Sequence, residues 1–320
     1  MNSNRAQILN WFEEHLIPKN KLRSALNIAA VLPTSTTWQY FLDRLLLFMG
    51  VGALATGIIF FFAFNWQDLD RFAKFALAEA PILVALIFVW RVGVDTIVGK
   101  ATLLFASLLA GALLALIGQT YQTGADTFEL FIAWAAVILP WTLIARFPTL
   151  WLLWLLLLNI ASSLYFTTLA RGASTVSQKP VWVAFAINTT ALLVWELLAA
   201  TRLRWLNERW AVRLIATASG GLATILCLGD IFDWSKHSHL GAPSAILWIL
   251  LVLRLYRRLI RDIYILAIAI FSSITIVTAW IGQMSNIGDS GIFLLLGQFV
   301  ICMSAAGGAW LKQVANEKNL

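Results

Sequence analysis

Ten apolar stretches follow one another along the chain, each closed by polar or charged residues: 45–65, 73–91, 99–119, 127–145, 148–168, 180–200, 212–230, 241–256, 262–282 and 290–311. A bilayer core about 30 Å thick is crossed by roughly 20 helical residues. Lipid offers no partner to a backbone N–H or C=O, so segments of this kind must close their hydrogen bonds internally, as helices. Composition excludes the soluble alternative: 60% of residues are hydrophobic and 12% charged, whereas a water-facing surface needs about 25% charged residues. The expected fold is an all-α polytopic transmembrane helix bundle of about ten spans. Its expected divisions are a cytoplasmic amphipathic arm at 1–44, the bundle at 45–311 and a short cytoplasmic tail at 312–320.

The N-terminal residues read as arm rather than signal peptide, because Glu13 and Glu14 interrupt them and no apolar core ends in a small-residue cleavage site. Ile8, Leu9, Trp11, Phe12, Leu16 and Ile17 recur at helical spacing before Lys19, Lys21 and Arg23, which suits a helix lying at a membrane surface. With the N-terminus inside and ten spans, 18 of the 23 Lys and Arg fall on the cytoplasmic side and 5 outside. That asymmetry predicts an N-in, C-in orientation. It also explains the net charge of +7 without nucleic acid, and no nucleic-acid partner is expected. The sets Arg202, Arg204, Arg209, Arg213 and Arg254, Arg257, Arg258, Arg261 face anionic lipid in this topology. Cys227 and Cys302 both lie in apolar runs and read as small buried hydrophobes.

The predicted outer loops are short and polar. Asn65 and Trp66 follow the first span, and Gln119, Thr120, Tyr121, Gln122 and Asp126 follow the third. Asp126 with Glu129 three residues later has the spacing of a capping box, so the carboxylate has a structural reading. A turn between helices does not require two amides and a phenol, and Gln119, Tyr121 and Gln122 therefore stand out. Ile117-Gly118-Gln119 before Gly124 is echoed by Ile281-Gly282-Gln283 before Gly288, a weak sign of an internal repeat.

Glu79 lies within the second span, about 9 Å below its outer end at 1.5 Å per residue. A carboxylate at that depth costs a few kcal/mol unless paired, hydrated or protonated, so it is expected to face the bundle interior, either as a functional group or as a structural ion-pair partner. Pro81, two residues on, frees a carbonyl in the preceding turn. The candidate solute site is thus Asn65, Trp66, Glu79, Gln119, Tyr121, Gln122 and Asp126. No phosphate loop, zinc helix or nucleophile elbow occurs, and no catalytic residue, cofactor or metal site is expected; His237 and His239 lack a clear third ligand.

The arm, the Phe64-Asn65-Trp66 segment and Gly118-Gln119-Thr120-Tyr121-Gln122 before Asp126 resemble a bacterial family of predicted inner-membrane proteins of unknown function, over about residues 1–150. The resemblance implies a multi-pass protein of the bacterial inner (cytoplasmic) membrane and no activity. The residues themselves favour recognition or passage of a small polar or cationic solute. The alternative is a non-transporting membrane subunit or sensor that docks an envelope protein partner.

Overall fold

The computed structural model describes residues 4–29, 31–64, 70–169, 178–201, 203–206, 208–232, 240–284 and 290–317. Twelve α-helices and one short 3-10 turn account for the regular structure, with no strand among the described residues. The chain forms two compact units, 1–66 with 315–320, and 67–314.

In the first unit, α1 (Asn4–Glu13) packs on α2 (Leu22–Ile28), and α3 runs unbroken from Ser35 to Phe64. The expected boundary between arm and bundle at 44/45 therefore falls inside a continuous helix. Asp43 and Arg44 end the apolar window, but nothing after Pro33 breaks the helix. Hydropathy marks the edge of the lipid, and the helix continues past it.

The second unit holds α4 (Arg71–Val92), α5 (Ile97–Tyr121), α6 (Thr127–Ala145), α7 (Pro148–Leu169), α8 (Lys179–Ala200), α9 (Arg209–Ile231), α10 (Gly241–Arg258), α11 (Ile263–Met284) and α12 (Ser290–Asn316). From α4 to α8 each helix packs on the next, and α9 is the hub for α8, α10 and α11. The α6–α7 junction needs only two residues: Arg146 takes a left-handed conformation at φ 46° and Pro148 opens α7, where its missing N–H costs nothing.

Nine of the ten expected spans are helices long and apolar enough to cross a membrane, counting the described residues. The exception is α10, whose 18 residues end in Arg257 and Arg258. It packs along α9 all the same. At one end the Ala242 N–H donates to Asp230 near the C-terminus of α9 at 2.8 Å; at the other, Tyr256 donates to Glu196, which also holds Arg209 in the first turn of α9. α10 lies antiparallel beside α9, tied to it near both ends.

Small residues let neighbouring helices of the second unit pack closely. Ser219 and Gly220 at the middle of α9 let Trp248 of α10 approach, and a Cβ on Gly220 would sit 2.6 Å from the Trp248 ring. Polar side chains bridge neighbouring helices here: Asn188 Nδ2 donates to Asn159 Oδ1 at 2.7 Å, Thr189 and Ser219 hydroxyls meet at 2.8 Å, and Trp248 Nε1 donates to Ser219 Oγ at 2.9 Å. These bonds tie α7 to α8 and α8 through α9 to α10 near mid-span, where each is worth about 0.6–2 kcal/mol. In the other half, Trp134 Nε1 donates to the Ser107 carbonyl at 2.7 Å and Trp154 Nε1 to the Ala135 carbonyl at 3.1 Å, joining α5, α6 and α7. Large apolar side chains remain exposed along α4, α10 and α12, as lipid-facing surfaces are. Cys227 is buried as expected, but Cys302 is exposed: it lies on α12, most of whose surface is uncovered.

Candidate functional site

The end of α5 and the start of α6 enclose a cleft of about 570 Å³, lined by Gln119, Gln122, Asp126 and Glu129 above an apolar floor that includes Ile117 and Leu130. Local rules shape it. α5 stops because Gln122 adopts φ 44°, ψ 51°, and Gly124 follows at φ 68°, so two left-handed residues within three reverse the chain. α6 then starts on a reciprocal capping box, with the Asp126 N–H donating to Glu129 Oε2 at 3.2 Å. Capping uses part of each carboxylate's acceptor capacity and leaves both charges in the cleft, with two amides and no cationic side chain on its lining.

Of the seven candidate residues, three share this cleft: Gln119, Gln122 and Asp126. Tyr121 does not line it. Its ring stacks on Phe75 with centroids 5.9 Å apart, and the Arg71 guanidinium lies 5.6 Å from the ring centre. Positions two apart on a helix differ by about 200°, so the face that carries Gln119 cannot also carry Tyr121. Glu79 is corrected more sharply. The buried face of α4 is Ala78, Ile82, Ala85 and Val89, and Glu79 is exposed beside it, with no hydrogen-bond or ion-pair partner among the described residues. Depth was readable from the sequence; the face was not. Asn65 and Trp66 lie outside the described residues, as do His237, His239 and the glycine of the second half of the repeat, Gly288. No metal-ligating cluster occurs among the described residues.

A second polar centre was read only as topology signals. Arg209 Nη1 donates to both oxygens of Glu196, at 2.9 and 3.0 Å, and its Nε donates to Asp262 at 3.1 Å. Arg213 Nε donates to Asp262 at 3.2 Å, and the Tyr256 hydroxyl donates to Glu196 at 2.7 Å. The network joins the ends of α8 and α10 to the starts of α9 and α11. Burial pushes the Asp262 carboxyl up, but hydrogen bonds from Arg213 and Arg209 outweigh it and hold the group below the usual carboxylate range. The available signal was Asp262 itself, an acid directly following Arg261 at the edge of an apolar run. Next to the network Trp205 stacks on Trp151 at 6.3 Å and meets Trp195 edge-on at 5.9 Å.

Fold and site together define a multi-pass helical membrane protein with, among the described residues, an open polar cleft and an ionic corner. Residues 9–151, which contain the whole cleft, match a family model described as "Predicted membrane protein (DUF2157)". That stretch corresponds to the region of resemblance read from the sequence and ends before the ionic corner. No curated protein and no solved structure matches the chain.

Proposed function

We propose that this is a ten-span protein of the bacterial inner membrane, with both termini in the cytoplasm, that recognises a small cationic or strongly polar solute in the α5–α6 cleft on its outer side. The observation that carries the reading is the lining: two amides, two carboxylates and no cationic side chain around about 570 Å³ of open volume. An ammonium group finds charge and acceptors there, and its hydrocarbon part finds the apolar floor. Recognition is preferred to passage because Glu79, the intramembrane acid, does not line the cleft and side-chain hydrogen bonds cross-link α7–α10.

The test uses full-length protein in neutral detergent and a panel of primary and quaternary ammonium compounds, with thermal stabilisation as readout. Asp126→Asn keeps a good helix cap while removing the charge. A hydrogen bond to a charged group is worth about 1.5–3 kcal/mol, so the variant should bind about ten- to a hundredfold more weakly with little change in unliganded stability. Saturable binding that Asp126→Asn leaves intact, or none across the panel, would sink the reading.

Orientation has its own test. In a background lacking Cys227 and Cys302, Thr123→Cys should react with an impermeant maleimide on intact cells. Leu259→Cys, 72% exposed in the wild-type residue, should react only after permeabilisation. Labelling of both from one side would contradict the ten-span arrangement.

A further inference from the structure

The two arginine sets that the sequence presents as equivalent are put to different uses. Arg209 and Arg213 are committed to Glu196 and Asp262. Arg257 lies 5.4 Å from the Trp310 ring centre. Arg254, Arg258 and Arg261 are exposed, and none has an ion-pair partner among the described residues. The nearest acid in sequence, Asp262, is buried with both oxygens occupied by Arg209, Arg213 and the Tyr264 N–H. Among the described residues, these three positive charges within eight positions have no counter-ion.

Their placement on α10 says what kind of anion suits them. Trp248, Val252 and Tyr256 form the buried side. On the exposed side, Leu247, Leu251, Arg254 and Arg258 follow one another at intervals of four, three and four residues, a single stripe along the helix. Leu247 and Leu251 are 58% and 49% exposed, and beyond the arginines Leu259 is 72% exposed. An apolar groove wall thus leads along the helix to a pair of guanidinium groups one turn apart. Two like charges at that spacing repel, and an anion between them relieves the repulsion. A soluble anion would use the arginines and leave the leucines idle, whereas a phospholipid uses both, with its phosphate on the guanidinium groups and its acyl chain on the stripe.

We infer that Arg254, Arg258 and Arg261 form a headgroup site for an anionic phospholipid, whose acyl chain lies along Leu247 and Leu251 of α10. The site is independent of the solute cleft, which lies at the other end of the helices. It also gives the short, arginine-ended α10 a lipid counter-charge at the membrane surface.

Native mass spectrometry of the full-length chain, released from neutral detergent with added phosphatidylglycerol or phosphatidylcholine of matched acyl chains, tests it. The wild type should retain phosphatidylglycerol preferentially. Each juxtamembrane charge contributes about fivefold, so Arg258→Gln should weaken retention about fivefold and the combined Arg254→Gln, Arg258→Gln, Arg261→Gln variant about a hundredfold. The corresponding triple lysine variant, which keeps the charges, should retain most of the preference, and Arg91→Gln, an exposed charge elsewhere, should leave it unchanged. Should the triple glutamine variant fail to fold, Arg258→Gln alone decides. Equal retention of the two lipids, indifference to Arg258→Gln, or displacement of phosphatidylglycerol by millimolar inorganic phosphate would overturn the inference, the last by showing a site for soluble anions.

Discussion

Arg209→Ala should destabilise the protein by about 3 kcal/mol in equilibrium unfolding from detergent, because it leaves the partly buried Glu196 with no cationic partner and takes one of two guanidinium groups from the buried Asp262. Exposed ion pairs contribute only about 0–1 kcal/mol, so the prediction depends on which regime applies. Burial decides it: the side chains of Arg209, Glu196 and Asp262 are 27%, 14% and 3% exposed. Arg209→Lys keeps the charge but cannot donate in parallel to both oxygens of Glu196 while reaching Asp262, and should recover only part of the loss. Combining Arg209→Met with Glu196→Gln should recover more, since Asp262 keeps Arg213 and no carboxylate is left alone. Stability of Arg209→Ala within about 1 kcal/mol of wild type would show that the corner is solvated.

The pH dependence of the corner follows from the direction of the Asp262 shift. Its folded carboxyl ionises below the ordinary carboxylate value. The stabilisation it supplies is therefore complete above that ordinary value and is lost only as the pH falls through the lower, folded one. Unfolding free energy should be flat with respect to Asp262 from about pH 5 upward, and an Asp262→Asn variant should show a smaller decline on the acid side than the wild type.

Much of the fold was legible because lipid enforces it. Spans 127–145 and 180–200 differ from α6 and α8 by no more than one residue at either end, since a polar residue at each membrane boundary is also where the helix stops. α3 shows where that logic fails, since its helix continues outside the apolar window. The cleft was legible in part for a chemical reason: Gln119 and Gln122 serve no need of a simple turn. Tyr121 and Glu79 were misplaced for one shared reason. On helices that are apolar all round, sequence fixes depth but gives no polar face from which to read rotation. The ionic corner needed contacts between residues 196, 209 and 262, separations that no local pattern reports.

The join between α9 and α10 gives the second large effect. Gly241 opens α10 against α9, and a Cβ there would overlap the Leu226 carbonyl oxygen and lie 2.6 Å from its carbon and 3.0 Å from Asp230 Cγ. Helix propensity alone favours alanine over glycine by about 1 kcal/mol. Against that stand overpacking against backbone, about 1–3 kcal/mol, and the Ala242 N–H bond to Asp230 that caps α10 from the neighbouring helix, about 1 kcal/mol. A backbone carbonyl cannot swing aside as a side chain can, so the clash wins and Gly241→Ala should destabilise by about 1–3 kcal/mol. Gly221→Ala is the opposite case: it sits within α9, and a Cβ there meets nothing within 4 Å. With no clash to set against propensity, it should stabilise by about 0.5–1 kcal/mol. Measured side by side in detergent, the two substitutions should differ in sign. A neutral or stabilising Gly241→Ala would mean that α10 does not lie against α9 at that end.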